Sequence, residues 1–185
     1  MIETARLLLR EWHEGDRDPF LAMCNAPAVM AHLGGPQTAE QVDAAIARVR
    51  ASEAAHGHCL WAVERKGDGA FLGFCGLKIL GIAGTPIEHD AEIGWRLRED
   101  AWGQGYAKEG ALASLAWGWA NLSVPRIVAI TVAANERSWG LMERLGMVRR
   151  ADLDFAHPAF AGGHPLRPHI TYVATRPGRR PEERR

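Results

Sequence analysis

The sequence predicts one α/β domain, a mixed sheet with helices on its faces. Two patterns support this class: apolar residues recur at helical spacing in some segments, and alternate or run continuously in short segments elsewhere. The predicted elements follow in the order strand, two helices, three antiparallel strands, helix, strand, helix and strands. With 185 residues, the chain is long enough to bury a substantial core within one domain.

The first half of the chain contains clear start and turn signals. Thr38 and Gln41 form a capping box ahead of a helical apolar pattern. Asp16 is a candidate cap for a short helix. Two apolar runs flank Lys66-Gly67-Asp68-Gly69, whose composition suits a hairpin turn. The predicted elements are strands at 6–12, 60–64 and 70–80 and helices at 16–25 and 39–55.

The second half begins with a predicted strand at 89–97 whose weak alternation is typical of a strand covered on both faces. A helix starting at Ala107 carries an apolar stripe and ends before Pro125. Gly146 suits the position that ends a second helix. The remaining predicted elements are strands at 126–132, 147–149 and 167–175 and a helix at 136–145.

The segment Trp102-Gly103-Gln104-Gly105-Tyr106-Ala107 lies between a predicted strand and a predicted helix. A helix that begins at Ala107 leaves its first N–H groups without internal partners, and its dipole favours negative charge there. The two glycines can adopt positive φ and let a ligand approach the main chain. This segment is therefore a candidate phosphate-binding loop.

Two familiar phosphate loops do not fit the residues that follow. A dinucleotide fingerprint requires a third glycine where Lys108 stands. A nucleoside-triphosphate loop requires Ser or Thr after Gly-Lys, whereas Lys108 is followed by Glu109. On its own, a Gly-x-Gly at this junction is more often a tight turn than a ligand site.

Four motifs occur in order along the chain: AEIGWRL at 91–97, WGQGYAKE at 102–109, NERS at 135–138 and LGM at 145–147. With the opening strand RLLLR at 6–10 and the closing PHITY at 168–172, they resemble the GNAT superfamily of acyl-CoA-dependent N-acetyltransferases. The resemblance is closest to the Rim-type branch that acetylates ribosomal-protein N-termini and to its small-molecule relatives. One departure is Trp102, which stands where the superfamily signature usually begins with Gln or Arg.

The resemblance implies one GNAT domain over residues 1–175, with a mostly antiparallel sheet of six to seven strands and helices on both faces. It implies acetyl-CoA as the cosubstrate, with its pantetheine arm in a splay between the strand ending at Leu97 and the strand at 126–132. The arm then pairs with main-chain groups near Trp95 and Leu97. The expected pyrophosphate site consists of Trp102, Gly103, Gln104, Gly105, Tyr106 and Ala107, with Lys108 adding charge at its rim.

Acetyl transfer requires a neutral amine, yet α-amino groups have a pKa near 8 and are mostly protonated at neutral pH. Glu92, on the strand that leads to the loop, is the first candidate for the base, because partial burial raises a carboxyl pKa. An ordinary strand-face carboxylate is the alternative interpretation. His89 or a water relay are the other candidates for the base.

Asn135 and Ser138 have two interpretations. Asn is among the best N-caps, and its side chain can accept from the N–H three residues later, so capping is a sufficient role. The resemblance adds that Asn135 helps to hold the cofactor and that Ser138 lies near the departing sulfur, where its hydroxyl can act as a general acid. Tyr172 is the rival acid.

Other reactive side chains are weaker candidates. The spacing of His157, His164 and His169 matches no compact ligand pattern, so no metal is expected. Cys75 could carry an acetyl group, but single strand cysteines are mostly inert, which favours direct transfer in a ternary complex. Residues 155–167 and 26–36 are the expected walls of the acceptor site.

Composition limits the expected partners. Lys plus Arg equals Asp plus Glu at 22 each, so neither nucleic acid nor an anionic membrane is an expected partner. The three cysteines suggest neither a disulfide framework nor a zinc site, and no leader or long apolar run is present, which predicts a cytoplasmic protein. A basic tail at 176–185 is expected to be disordered. A monomer or a homodimer is expected.

These observations predict an acetyl-CoA-dependent N-acetyltransferase that acts on a primary amine, either a protein N-terminus or a small molecule. The alternative is a non-catalytic module that binds or senses acyl-CoA. The residues do not choose among amine acceptors.

Overall fold

The computed structural model describes residues 1–178, in which nine strands and five α-helices are present, against the six to seven strands expected. The chain divides into two compact units. The first unit comprises residues 1–78 and 93–117, and the second comprises 79–92 and the chain from 118 onward. Whether the chain also behaves as the single predicted domain stays a prediction.

The first unit contains the start of the chain and most of the meander. The elements are β1 (Ile2–Glu3), β2 (Leu7–Arg10), α1 (Arg17–Met23), α2 (Pro27–Met30), α3 (Ala39–His56), β3 (Leu60–Arg65), β4 (Phe71–Ile79), β5 (Ala91–Leu97) and the start of α4 (Tyr106–Asn121). The strands lie in the order β1, β2, β3, β4 and the end of β5, and the pairs from β1 to β4 are antiparallel.

The predicted capping box of α3 is confirmed. The Thr38 hydroxyl accepts from the Gln41 backbone, and the Gln41 side chain accepts from the Thr38 N–H. At the other end, Gly57 adopts a φ of 70° and its N–H donates to the carbonyl of Glu53. Both ends of this helix are therefore fixed by residues adjacent to them in sequence.

An apolar cluster lies between the sheet and helices of the first unit, and we call it the helical core. Trp12 and Phe20 meet edge to face, with ring centroids 4.9 Å apart. The burial of each large apolar side chain stabilises the unit by about 1.5 to 3 kcal/mol. Its buried members are Trp12, Phe20, Met23, Cys24, Val29, Met30, Val42, Ile46, Ala62 and Phe71.

Asp16 precedes α1 as predicted, but its carboxylate bonds elsewhere. It accepts two hydrogen bonds from the Arg10 guanidinium, at 2.8 and 2.9 Å, and a third from the His13 N–H. No side-chain cap bond to the helix forms. The expected capping role is therefore replaced by an ion pair, because a buried arginine is a stronger partner for the carboxylate than helix amides.

The second unit has its own strand pairs. β5 pairs with β6 (Arg126–Thr131) in parallel through Ala91 with Ile127 and Glu92 with Val128, and β6 pairs with β9 (Pro168–Thr175) antiparallel. The remaining elements are α5 (Glu136–Arg144), β7 (Val148–Arg149) and β8 (Phe155–Ala156), and both short strands pair with β9. Gly146, with a φ of 77°, follows α5 as predicted.

Among the described strands and α-helices, three were not predicted: β1, α2 and β8. They have two to four residues each, too few for a period to be recognised. Of the predicted tail, Arg176 donates to the carbonyls of Trp119 and Val124, while residues 179–185 lie outside the described part of the chain.

The ion pair of Arg10 and Asp16 predicts a pH-dependent stability. Burial raises the pKa of Asp16, but the bonds from Arg10 and His13 outweigh it and leave that pKa below its usual 3.8. A lowered pKa in the folded state stabilises the protein above pH 3.8, and the contribution disappears as the pH falls below it. We expect Asp16→Asn to lower the free energy of unfolding by about 3 kcal/mol at pH 7.

Urea unfolding at pH 7 and pH 3 measures this effect, and the difference between variant and parent should shrink at the lower pH. Asp18→Asn is the control, since the Asp18 side chain is 88% exposed. Equal losses for the two variants at pH 7 would show that the buried ion pair does not stabilise the fold.

Candidate active site

The loop between β5 and α4 is fastened to the end of the strand. After a 3-10 turn at Glu99–Ala101, the Trp102 indole N–H donates to the carbonyl of Leu97 at 2.8 Å, and the Gln104 amide donates to the carbonyl of Asp100 at 2.7 Å. Trp102 also packs against the helical core. The tryptophan that departs from the family signature therefore anchors the loop.

Both glycines of the loop adopt the left-handed conformation that the sequence suggested. Gly103 has a φ of 74° and Gly105 a φ of 82°. A Cβ at Gly103 would meet nothing within 4 Å, so the space beside its main chain is open. The loop can therefore admit a ligand close to the backbone.

Helix α4 begins at Tyr106, one residue before the predicted start, and the carbonyl of Gly105 accepts from the N–H of Glu109. The N–H groups at the start of an α-helix have no partner within the helix. The amides of Tyr106, Ala107 and Lys108 therefore add to those of the loop, and the Lys108 side chain is exposed. This is the geometry that binds phosphate groups.

A polar network that no sequence pattern indicated holds the start of α4, and we call it the Arg6 clasp. The Glu109 carboxylate accepts from the Thr4 hydroxyl at 2.6 Å, from the Arg6 N–H at 2.8 Å and from the Arg6 guanidinium at 2.7 Å. The guanidinium also donates to the carbonyl of Gln104 at 2.9 Å and lies 4.5 Å from the Tyr106 ring centroid. The clasp joins the first strand pair to the loop.

The clasp also sets the charge beside the loop. Burial raises the pKa of Glu109, but hydrogen bonds from Thr4 and Arg6 outweigh it and leave that pKa below its usual value. The Arg6 side chain is 46% exposed. A Cβ at Gly105 would lie 3.4 Å from the Arg6 guanidinium, which places a cation directly against the loop.

Along the end of β5, the main-chain N–H and C=O groups of successive residues point to opposite edges of the strand. A Cβ at Gly73 of β4 would lie 2.1 Å from the carbonyl oxygen of Arg96, and the Arg98 N–H donates to the carbonyl of Leu72 in β4. Because successive residues of a strand point their N–H and C=O groups to opposite edges, those of Trp95 and Leu97 point away from β4. The Leu97 carbonyl accepts from Trp102, so its N–H is the group that remains for a ligand.

The proposed catalytic side chains lie in the second unit. Glu92 is buried, with 7% of its surface exposed. His89 has a φ of 72°, and its side chain is 80% exposed beside Glu88. Glu92 is therefore shielded from water by its position on β5, whereas His89, which precedes β5, is in contact with water.

The cap predicted for α5 is present, since the Asn135 side-chain oxygen accepts from the N–H of Ser138 at 3.4 Å. The Tyr172 hydroxyl donates to the Glu143 carboxylate at 3.2 Å. Burial, and then that carboxylate, raises the pKa of Tyr172. Because the Tyr172 phenol already donates to Glu143, it is a poor acid for another group. Ser138 therefore stays the first candidate for the acid.

The histidines of the last loop form an aromatic cluster with their neighbours. His157 and His169 have ring centroids 4.8 Å apart, and Phe160 stacks on His164 at 4.9 Å. Burial lowers the pKa of His169. Within residues 1–178, no group of three or more His, Cys, Asp or Glu side chains is placed to hold a metal ion.

Cys75 is buried against α4, where its sulfur lies 3.8 Å from the Ser114 hydroxyl. Burial raises the pKa of the Cys75 thiol to about 12. The thiolate needed for a covalent acetyl intermediate is therefore scarce at neutral pH.

A pocket of about 510 Å³ lies beside the first unit's helices. Ala26 and Val29, from the expected acceptor wall at 26–36, line it together with Met23 of α1. Arg98, Glu99 and Asp100, which immediately precede the loop, also line it.

Among the described residues, no helix is both long and apolar enough to cross a membrane.

Comparison with known proteins identifies the family. The family model described as Acetyltransferase (GNAT) domain matches residues 6–148, so the chain belongs to the GNAT acetyltransferase family. The uncharacterized protein YkkB of Bacillus subtilis (strain 168) is 31% identical over 147 residues, which are 78% of this chain and 83% of YkkB. The prediction of an acetyltransferase is confirmed.

Solved structures share the fold. An acetyltransferase from Agrobacterium tumefaciens matches with a TM-score of 0.76 and 24% identity, over 94% of this chain and 92% of that one. Spermidine N-acetyltransferase from Vibrio cholerae, in complex with CoA and spermine, matches at 0.71 and 15%, over 94% and 97%. The Salmonella typhimurium enzyme that modifies the N-terminal serine of ribosomal protein L7/L12 matches at 0.73 and 15%, over 93% and 96%.

The Arg6 clasp predicts that Glu109 supports both stability and cofactor binding. Glu109→Gln keeps the shape of the side chain but removes the charge that pairs with Arg6. We expect the free energy of unfolding to fall by about 1 kcal/mol, since the pair is partly exposed. We also expect weaker acetyl-CoA binding by calorimetry, because the loop carbonyl at Gln104 loses its fixed donor.

Glu11→Gln, which removes an exposed carboxylate near the same strand, is the matched control and should change neither quantity. Unaltered stability and affinity in Glu109→Gln would show that the clasp does not fix the loop.

Proposed function

We propose that the protein is an acetyl-CoA-dependent N-acetyltransferase that transfers the acetyl group directly to a primary amine in a ternary complex. The observation that carries this proposal is the open loop at Gly103 and Gly105, whose amides continue into the first turn of α4. The Vibrio neighbour binds CoA. The loop of this chain has the donors and the adjacent Arg6 cation that a diphosphate requires.

Acetyl-CoA would bind along the first unit. The amides of Gly103 to Ala107 take the pyrophosphate, with Trp102 holding the loop and Lys108 at the rim. The pantetheine amides pair with the Trp95 main chain and the Leu97 N–H, which point away from β4. Asn135 is a further proposed cofactor contact.

Glu92 is the proposed base. It accepts a proton from the bound ammonium, and the neutral amine then attacks the thioester carbonyl. The C–N bond forms, the C–S bond breaks and CoA leaves as the thiolate, while the second proton lost by the nitrogen balances the proton that the thiolate gains. The feature that supports this role is the buried position of Glu92 on β5, the strand that leads to the loop. Ser138 is the proposed acid that protonates the departing sulfur, and Tyr172 is the rival.

A reducing cytoplasm is the proposed setting, supported by free, buried Cys24, Cys59 and Cys75. A module that binds acyl-CoA without turnover is the competing function. It shares the loop but requires no base, so the burial of Glu92 favours the enzyme.

Two measurements test the proposal. Acetyl-CoA at 100 times its Kd should add about 2.7 kcal/mol to the free energy of unfolding. A thiol reagent should then detect CoA release with at least one member of a broad panel of amines. No thermal shift at saturating acetyl-CoA would contradict both functions, whereas a shift without CoA release from any amine would favour the sensing module.

Glu92→Gln separates general base catalysis from a water relay. We expect kcat at pH 7 to fall by about 100-fold or more, with the thermal shift on acetyl-CoA unchanged, because the variant loses only the proton acceptor. Rates should be measured from pH 6 to 9. Parent-like rates across this range would remove Glu92 from the mechanism and leave His89 or a water relay as the base.

A further inference from the structure

Arg96 is a cation in largely apolar surroundings on β5. Its guanidinium lies 5.3 Å from the ring centroid of Phe74 and donates to the Cys24 sulfur at 3.3 Å. Phe74 and Cys24 both belong to or pack against the helical core. Burial lowers the pKa of Arg96, as expected for a charge removed from water.

The Arg96 charge is not neutralised within the described part of the chain. No carboxylate of residues 1–178 pairs with Arg96. The nearby Asp100 pairs with Arg98 instead. Cys24 does not supply the missing charge, because burial raises the pKa of its thiol and keeps it protonated. The Nε atom of Arg96 is buried without a hydrogen-bond partner.

An unpaired buried guanidinium is costly, and the remaining donor suits one class of ligand. With Nη1 directed to Cys24 and Nε buried, Nη2 is the donor that remains for a ligand, and a carboxylate is the acceptor that also compensates the charge. The residue as a whole is partly exposed. A neutral or cationic ligand would leave the charge uncompensated.

The position of Arg96 separates this site from the phosphate loop. Arg96 lies between Trp95 and Leu97, whose main chains are the proposed partners of the pantetheine arm, and it precedes the loop by six residues. Its sulfur partner, Cys24, follows Met23 in sequence, and Met23 lines the 510 Å³ pocket with Ala26. The residue that the guanidinium contacts, Cys24, therefore lies two residues before the predicted acceptor wall, which begins at Ala26.

We propose that Arg96 selects acceptors by binding a carboxylate, so that the physiological substrate is an amine that also carries a carboxylate group. An amino acid and an acidic peptide N-terminus are the two sources of this chemistry. The proposal rests on the proposed function and narrows its acceptor. It assigns Arg96 to specificity, with no part in the transfer of protons.

Acceptor pairs that differ only in charge test the proposal in the full chain. One arm compares amino acids with their carboxamides, and the other compares short amidated peptides carrying Asp or Glu near a free N-terminus with the Asn or Gln peptides. We expect kcat/KM for CoA release to favour the carboxylate member of at least one arm by about 10- to 100-fold. The preferred arm identifies the source of the carboxylate.

Arg96→Met should abolish this preference through a higher KM for the carboxylate acceptor, while the KM for acetyl-CoA stays at the parent value. Arg96→Lys should restore part of the preference, because it keeps the charge but not the fork. Thermal unfolding of Arg96→Met should show no loss of stability, since an unpaired charge is replaced by an apolar side chain. A merely structural arginine would instead lower the melting temperature.

Arg17→Gln is the control, because Arg17 is exposed and already paired with Asp43. Equal rates for both members of every pair, or a rise in the KM for acetyl-CoA in Arg96→Met with the preference intact, would overturn this proposal and leave the proposed function standing. Absence of turnover with every amine would instead refute the proposed function, and this inference with it.

Discussion

The start of α4 depends on the Arg6 clasp. The Glu109 carboxylate accepts hydrogen bonds from the N–H and the guanidinium of Arg6, and the same guanidinium donates to the carbonyl of Gln104. Without this fixed cation, the two positive-φ glycines would leave the loop free to adopt other conformations. The arrangement of the loop amides therefore follows from a contact between the first strand pair and the first turn of a helix.

The clasp is one of three side-chain contacts that fix the open loop for binding an anion. The Trp102 indole donates to the Leu97 carbonyl at the end of β5, the Gln104 side chain donates to the Asp100 carbonyl, and Arg6 donates to the Gln104 carbonyl. Preorganised donors lose little entropy on binding. The chemistry proposed for Glu92 depends on this binding, because the thioester must first be positioned.

Local features of the fold were predictable from sequence, and distant ones were not. The Thr38 cap and the turn at Gly146 involve neighbours in sequence, so composition alone indicates them. Arg6 and Glu109 lie 103 residues apart, and no local pattern links them. Asp16 was expected to cap a helix, but a buried arginine takes its carboxylate. The unpaired charge of Arg96 likewise becomes visible only after its surroundings are known.

A crystal structure of the protein with bound CoA tests the role of the phosphate loop most directly. We predict diphosphate oxygens within hydrogen-bond distance of the amides between residues 103 and 107, with Arg6 still bonded to the Gln104 carbonyl. A complex in which CoA occupies the protein while this turn is empty, or is filled by a protein side chain, would contradict that role.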